Sequence, residues 1–93
     1  MRRAAKVDAT QAAIVDALHA AGAFVQSLAT VGRGTPDLLV AFRGTWHTLE
    51  CKSKGGRLTD DQLVWIDAAH AAGAVVDVVF TPEQALRAIG AMR

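Results

Sequence analysis

The feature that most restricts the fold is a pair of short apolar segments joined by Gly44-Thr45. One segment runs from Asp37 to Arg43 through Leu-Leu-Val-Ala-Phe, and the other runs from Trp46 to Lys52. Two such segments around a glycine-containing dipeptide predict an antiparallel hairpin with a two-residue turn. With the turn at Gly44-Thr45, Arg43 lies opposite Trp46 and Asp37 lies opposite Lys52. The charged residues therefore gather at the open end of the hairpin.

The segments around the hairpin predict three helices and two further strands. Apolar residues recur at intervals of three and four over residues 8–21, and Thr59 with Gln62 fits a capping box at the start of a second helix. Thr81-Pro82 starts a third helix that ends near Gly90. The predicted strands cover residues 23–29, 37–43, 46–52 and 75–80. The resulting order, α-β-β-β-α-β-α, indicates an α/β domain.

Length and composition exclude several classes of protein. The chain has 93 residues, which is enough for one domain, and its 52% hydrophobic content with a net charge of +1 excludes a disordered chain. No window of about 20 residues lacks charges, so we expect no transmembrane helix. The single Cys51 excludes an internal disulfide and fits a reducing, cytoplasmic setting. One Cys and three scattered His also argue against a structural zinc site.

The charges are unevenly distributed along the chain. Residues 31–58 carry five basic against two acidic residues, whereas residues 59–93 carry two basic against five acidic. Arg2, Arg3 and Lys6 add a basic N-terminal arm. A basic middle and a basic arm favour a polyanionic partner, although solvated basic loops would give the same pattern.

Three charged residues at the open end of the hairpin form the candidate site. Side chains alternate along a strand, so Glu50 and Lys52 share a face. In the predicted register Asp37 lies on that face as a diagonal neighbour of Glu50, about 7–8 Å away at the backbone. The two carboxylates can then converge on one cation. A register slip of one residue would move Asp37 to the opposite face.

This set of oxygen ligands predicts a magnesium site. Two carboxylates and the backbone carbonyl of Cys51 are the hard donors that Mg²⁺ or Mn²⁺ prefers. Lys52 would supply a positive charge beside the metal, as phosphodiester hydrolysis requires. The alternative interpretation makes Asp37 a turn residue, and Glu50 and Lys52 solvent-facing charges on an exposed strand.

The sequence also resembles a known family. Gly34-Thr35-Pro36-Asp37-Leu38 followed by Glu50-Cys51-Lys52 resembles the PD-(D/E)XK nuclease signature. The glycine before Pro-Asp and the later Leu58-Thr59-x-x-Gln62-x-x-Trp65 are most similar to the VRR-NUC family, particularly its small stand-alone phage and prophage members. The resemblance covers residues 8–90. It implies one nuclease domain over residues 1–93 with a mixed central sheet flanked by helices, and residues 1–7 as a flexible basic arm.

The resemblance implies a role for each matching position. Asp37 and Glu50 would bind the metal and Lys52 would be the catalytic lysine. Gln62 matches a glutamine near the active site, although it is also the capping-box residue, and both roles are compatible. The family usually places a Glu on the first helix, where this chain has Gln11. That departure leaves open whether one or two metal ions bind.

These matches imply a Mg²⁺-dependent endodeoxyribonuclease, with Mn²⁺ as a substitute and no organic cofactor. Members of the family act on DNA, including branched substrates such as Holliday junctions, and small members are expected to be homodimers. We expect Arg33, Lys54 and Arg57 to contact DNA phosphates. The expected location is the cytoplasm of a bacterium or a phage-infected host cell. The alternatives are a DNA-structure-binding module with weak or no catalysis, and an assembly domain without nucleic acid.

Overall fold

A computed structural model describes residues 8–93 of the chain. The predicted basic arm, with Arg2, Arg3 and Lys6, lies outside the described residues. The element order is the predicted one: α1 (Ala9–Ala20), β1 (Phe24–Ser27), β2 (Leu38–Phe42), β3 (Thr45–Cys51), α2 (Asp60–Ala71), β4 (Val76–Val79) and α3 (Pro82–Ala88). The strands form one sheet in the order β1-β2-β3-β4. Its first two pairs are antiparallel and β3 pairs with β4 in parallel, which makes the sheet mixed.

The hairpin between β2 and β3 has a different turn from the predicted one. Phe42 pairs with Thr45, so the turn residues are Arg43 and Gly44, with φ of 49° and 80°. Positive φ at both central positions is what the favoured two-residue hairpin turn requires, and a β-branched residue such as Thr45 is poorly suited to it. The predicted turn at Gly44-Thr45, and with it the pairing of Arg43 with Trp46, was therefore wrong.

The corrected register keeps every side chain on its predicted face. Leu38 pairs with Leu49, which shifts the pairing by two residues from the prediction. Because side chains alternate with a period of two, a two-residue shift preserves the faces. Continuing this register places Asp37 directly opposite Glu50 rather than opposite Lys52. The two carboxylates are therefore closer neighbours than the sequence predicted.

The main hydrophobic core lies between one face of the sheet and the helices α1 and α3. Burial of each large aliphatic side chain in it contributes about 1.5–3 kcal/mol. The cluster is contiguous, and its larger buried members are Ile14, Leu18, Leu38, Val40, Phe42, Leu49, Val79 and Ile89. Cys51 packs against this cluster, as its position in the strand alternation predicted.

Helix α2 lies on the other face and covers only part of the sheet. It contacts β4, and its buried Ile66 lies outside the main core cluster. On the same face, Phe24 and Trp46 stay 55% and 62% exposed and meet edge to face, with ring centroids 6.2 Å apart. None of the helices in residues 8–93 is long and apolar enough to cross a membrane.

The loop between β1 and β2 packs tightly against the start of α2. A turn closes where the N–H and the hydroxyl of Thr35 both donate to the carbonyl of Gly32, at 3.1 and 2.7 Å. Its central residues, Arg33 and Gly34, have φ of 56° and 81°. A Cβ on Gly34 would overlap the backbone carbonyl of Asp61. Gly34 is thus required both by its φ and by the close approach to α2.

We predict that Gly34→Ala destabilises the protein more than Gly32→Ala. Both positions have positive φ, so each substitution adds strain of about 1 kcal/mol. Only Gly34 also faces backbone, whereas a Cβ on Gly32 meets nothing within 4 Å. Urea unfolding of the two variants measures the difference, which we expect to be at least about 1 kcal/mol. Equal losses would contradict the packing of this loop on α2.

Candidate active site

Three of the predicted site residues, Gln11, Asp37 and Gln62, line a cleft of about 320 Å³ at the open end of the hairpin. Three parts of the chain form most of its walls: the loop from Leu28 to Thr35, the start of β2 and the first turn of α2. The polar side chains that line it are Gln11, Thr35, Asp37, Thr59, Asp61 and Gln62. Glu50 and Lys52 join this group through hydrogen bonds to Gln62. The structure therefore brings together the residues that the sequence singled out.

Asp37 is fixed by the backbone of the neighbouring strand. Its Oδ2 accepts the N–H of Cys51 at 2.8 Å. In an ordinary continuation of the ladder this N–H would pair with residue 36, because the carbonyl of Asp37 faces β1 and accepts from Leu28. The Asp37 carboxylate thus takes the place of a backbone acceptor. Its position follows from the sheet register.

Pro36 removes a hydrogen-bond donor from this point of the sheet. The N–H and carbonyl of one strand residue point to the same side, so the Cys51 carbonyl faces β2 as its N–H does. A residue other than proline at position 36 would offer its N–H to that carbonyl, and proline has none. The Cys51 carbonyl oxygen is therefore left without that ladder partner. This explains physically why a proline before Asp37 suits a site that uses a backbone oxygen.

Glu50 is a buried carboxyl group with one oxygen satisfied and one not. Its side chain is only 1% exposed, and its Oε2 accepts from Gln62 Nε2 at 3.0 Å and lies 3.5 Å from Lys52 Nζ. In the ionised form its Oε1 is buried, and no donor among residues 8–93 lies within hydrogen-bonding distance of it. Burial, then the negative charge of Asp37, and then a hydrogen bond that protonated Glu50 shares with the Asp37 carboxylate raise the pKa of Glu50 to about 7, and Lys52 only partly opposes them. The site thus holds an acid that ionises near neutral pH.

Gln62 connects the charged residues to α2. Its Oε1 accepts from Lys52 Nζ at 2.8 Å and from the N–H of Thr59 at 2.9 Å, while its Nε2 donates to Glu50. The hydroxyl of Thr59 accepts the N–H of Gln62 in turn, which completes the predicted capping box. Gln62 therefore caps α2 and contacts the site at the same time.

The thiol of Cys51 lies on the core side of the sheet, away from the carboxylates. The side chain packs against the main core, and burial, followed by the charges of Asp37 and Glu50, raises the pKa of the thiol to about 12. A thiol with so high a pKa is not a nucleophile at neutral pH. The sequence interpretation of Cys51 as a small core residue agrees with this geometry.

The first helix presents an amide to the cleft instead of an acid. Gln11 lines the cleft, as the departure from the family pattern implied. The nearby acids point elsewhere: Asp8 caps α1 by accepting the N–H of Gln11 at 2.8 Å, and Asp16 lines a separate apolar groove. Asp8 also accepts from the hydroxyl of Ser53, which ties the loop after Lys52 to α1.

Sequence reasoning missed Asp61, Thr35 and Thr59 as cleft residues. Asp61 lies beside Gln62 in the first turn of α2, and its place in the capping-box segment was the available signal. The three residues expected to contact DNA, Arg33, Lys54 and Arg57, are all exposed. Arg33 lies in the loop whose Gly32, Gly34 and Thr35 line the cleft. The other two lie in the loop between β3 and α2.

The donor atoms at this site fit a hard cation. Within residues 8–93 no group of three or more His, Cys, Asp or Glu side chains is placed to hold a metal ion. The available set is smaller: the carboxylates of Asp37 and Glu50 and the carbonyl of Cys51. The buried Oε1 of Glu50 lacks a hydrogen-bond donor, so it has a lone pair that could coordinate a cation. Three oxygens with room for water suit Mg²⁺ or Mn²⁺.

Comparison with solved structures found a relative described as "VRR_NUC domain". The two chains share 31% sequence identity with a TM-score of 0.70, and the match covers 84% of this chain and 87% of the other. Comparisons with protein-family models and with curated proteins gave no match. The similarity thus extends over most of both chains and agrees with the motif resemblance at residues 34–38 and 50–52.

We predict that Glu50→Gln removes a pH-dependent loss of stability. The unfolded chain releases the Glu50 proton near its ordinary pKa of 4.5, whereas the folded protein holds it up to about pH 7. Folding therefore binds a proton between these values, and stability falls as pH rises through this window. The full cost, on the order of 3 kcal/mol, is present above pH 7. Urea unfolding of both proteins at pH 4.5 and pH 8 measures it.

In that experiment the difference between the variant and the native protein isolates Glu50, because the other titrating groups are shared. Glutamine keeps the acceptor for Gln62 and removes only the charge. The variant should become the more stable protein as pH rises. If the free energies of unfolding of the two proteins changed in parallel with pH, ionisation of Glu50 would not lower the stability of the fold.

Proposed function

Because the chain belongs to the VRR-NUC family and has a nuclease-like α/β fold, we propose that it is a Mg²⁺-dependent DNA endonuclease. The observation that carries the proposal is the buried Glu50 beside Asp37, with one unpartnered oxygen and Lys52 within reach. A structural ion pair would satisfy both oxygens with hydrogen bonds, because an unpaired buried oxygen lowers stability. An acid that keeps such an oxygen suits a functional site better than a purely structural role.

Asp37, Glu50 and the Cys51 carbonyl would hold the ion. Mn²⁺ has the same preference for oxygen ligands and would substitute for Mg²⁺. When bound, the ion polarises a phosphoryl oxygen and lowers the pKa of a water ligand. Glu50 must be ionised to act as a ligand, and its pKa of about 7 makes that ionisation sensitive to pH in the neutral range.

Lys52 is the residue that would meet the phosphate. Its side chain is 15% exposed and its Nζ is anchored by Gln62 and Glu50, so the ammonium is held at the site rather than in solvent. A fixed positive charge stabilises the negative charge that develops on the phosphate oxygens during hydrolysis. Gln11 adds a polar but uncharged group to the cleft lining, which favours a single metal ion over two.

The DNA would approach across the loops that border the cleft. Arg33, Lys54 and Arg57 are exposed there and would neutralise backbone phosphates. Contacts to phosphates position the DNA but do not read its base sequence. We therefore propose that selectivity depends on DNA shape, with branched or duplex DNA as the substrate class.

We also propose that the enzyme is a homodimer. Phe24 and Trp46 form an exposed aromatic pair on the part of the sheet that α2 leaves uncovered. Their strand neighbours on this face, including Leu39 and Ala41, carry no charge, so they would not bind a DNA phosphate. A two-fold interface needs a patch that complements itself, and a neutral apolar patch does so. Two subunits would supply one active site for each strand.

The alternative function is a DNA-structure-binding module with weak or no catalysis. It is favoured by Gln11, because the family's first-helix acid is missing from the cleft wall. Salt-dependent binding of a four-way junction without cleavage in Mg²⁺ or Mn²⁺ would select this alternative. Absence of binding to any DNA at low salt would favour an assembly domain.

Substitutions at the site should abolish cleavage without unfolding the protein. We predict that Asp37→Asn, Glu50→Gln and Lys52→Met each reduce cleavage of a four-way junction and of supercoiled plasmid in Mg²⁺ by at least about a hundredfold. EDTA should stop the native enzyme. Glu83→Gln, an exposed acid on α3, is the matched control and should leave the rate unchanged. Native rates in Glu50→Gln or Lys52→Met would refute the assignment of the site.

Trp46→Glu should dissociate the dimer. A charge in the aromatic patch costs desolvation, and loss of a central aromatic contact costs about 2 kcal/mol or more, so we expect the dimer dissociation constant to rise at least about thirtyfold. Size-exclusion chromatography with light scattering measures the mass. Met92→Glu, at another exposed apolar position, is the control. A monomeric native protein, or a dimer unaffected by Trp46→Glu, would refute this interface.

A further inference from the structure

The amide oxygen of Gln62 is fixed by two neighbours that can only donate hydrogen bonds. The N–H of Thr59 and the ammonium of Lys52 both point at Oε1, at 2.9 and 2.8 Å. Neither group can accept a hydrogen bond, so the amide can face them only with its oxygen. Its nitrogen is then directed at Glu50, where it donates at 3.0 Å. The orientation of the amide is fixed by chemistry.

Thr59 is the part of this arrangement that does not depend on Lys52. When the ammonium engages a phosphate, the Thr59 N–H is the remaining donor that keeps the oxygen in place. The Thr59 backbone is in turn held by its own hydroxyl, which accepts the N–H of Gln62 at 3.2 Å. Thr59 and Gln62 therefore hold each other in place. Held in this way, the Gln62 side chain contacts both Lys52 and Glu50.

We infer that Thr59 is a positioning residue, and that the N-cap of α2 sets the place of the lysine and of the metal-binding glutamate through Gln62. The inference rests on the proposed function. Thr59 does not contact either charged group itself. Without its hydroxyl the first turn of α2 frays, and Gln62 leaves the geometry in which one amide serves both Lys52 and Glu50.

The chain offers a matched control in its third helix. Thr81 caps α3 in the same way: its hydroxyl accepts the N–H of Gln84 at 3.1 Å, and Gln84 Oε1 accepts the N–H of Phe80 at 2.7 Å. None of these three residues lines the cleft. Each threonine hydroxyl satisfies the same kind of N-terminal N–H, so loss of either removes the same type of cap. Thr59→Ala and Thr81→Ala thus differ in their distance from the site rather than in the type of cap removed.

The experiment compares Thr59→Ala, Thr59→Ser and Thr81→Ala in cleavage of a four-way junction in Mg²⁺. We expect Thr59→Ala to lower kcat roughly tenfold with KM within about twofold, because a small displacement of a positioned group affects the reaction more than binding. Thr59→Ser should restore the native rate, and Thr81→Ala should not lower it. Thr59→Gly, a milder cap loss, is the second variant if Thr59→Ala fails to fold.

A second readout does not depend on activity. The side-chain NH₂ signals of Gln62 in ¹H–¹⁵N spectra should be protected from solvent exchange in the native protein and in Thr81→Ala. In Thr59→Ala they should lose that protection. Equal effects of Thr59→Ala and Thr81→Ala on kcat, or unchanged Gln62 signals in Thr59→Ala, would overturn the inference. A native protein that cleaves nothing would instead refute the proposed function, while the Gln62 signals would still decide the role of Thr59.

Discussion

The structure of the site depends on the burial of one carboxyl group, that of Glu50. A carboxylate removed from water is costly unless positive or donating groups surround it. Here Gln62 and Lys52 serve one oxygen, and Asp37 on the neighbouring strand opposes ionisation. The second oxygen is left without a hydrogen bond. The protein therefore keeps an unfavourable arrangement that a bound cation would relieve, which is typical of functional sites.

Elements distant in sequence hold this arrangement in place. The sheet register puts Asp37 opposite Glu50, and the Pro36 ring leaves the Cys51 carbonyl without its ladder partner. The approach of Gly34 to the backbone of Asp61 sets the loop against α2. The cap of α2 then brings Gln62 to the two charged residues. Each of these contacts joins only two residues. Together they make the geometry of the cleft depend on the packing of β2, β3, α2 and the loop before β2.

Much of this could be predicted from sequence because the decisive signals were periodic. Strand alternation put Glu50 and Lys52 on one face, and the capping box located the start of α2 at Thr59 and Gln62. These features follow from backbone geometry that each segment specifies by itself. The assignment of the chain to the VRR-NUC family, made from residues 34–38 and 50–52, is confirmed by the structural relative.

The remaining features depend on contacts between segments. The turn at Arg43-Gly44 needs a non-glycine residue at positive φ, which sequence preference disfavours and the register imposes. Asp61 reaches the cleft only because the Gly34 loop packs on α2, and no spacing rule links those two positions. The exposure of Phe24 and Trp46 depends on how far α2 reaches across the sheet, and no local sequence pattern specifies that reach. Packing between elements, rather than propensity, decided these cases.

We propose that the sheet holds Asp37 and Glu50 together to bind a hard cation. Titration calorimetry with Mn²⁺ on the native protein and on Glu50→Gln, at pH 8 and at pH 5.5, tests it without relying on any DNA substrate. We predict saturable binding to the native protein at pH 8, binding at least tenfold weaker at pH 5.5 where Glu50 is protonated, and a similar weakening at pH 8 in the variant. Equal affinity in the two proteins at pH 8, or no binding by the native protein, would contradict it.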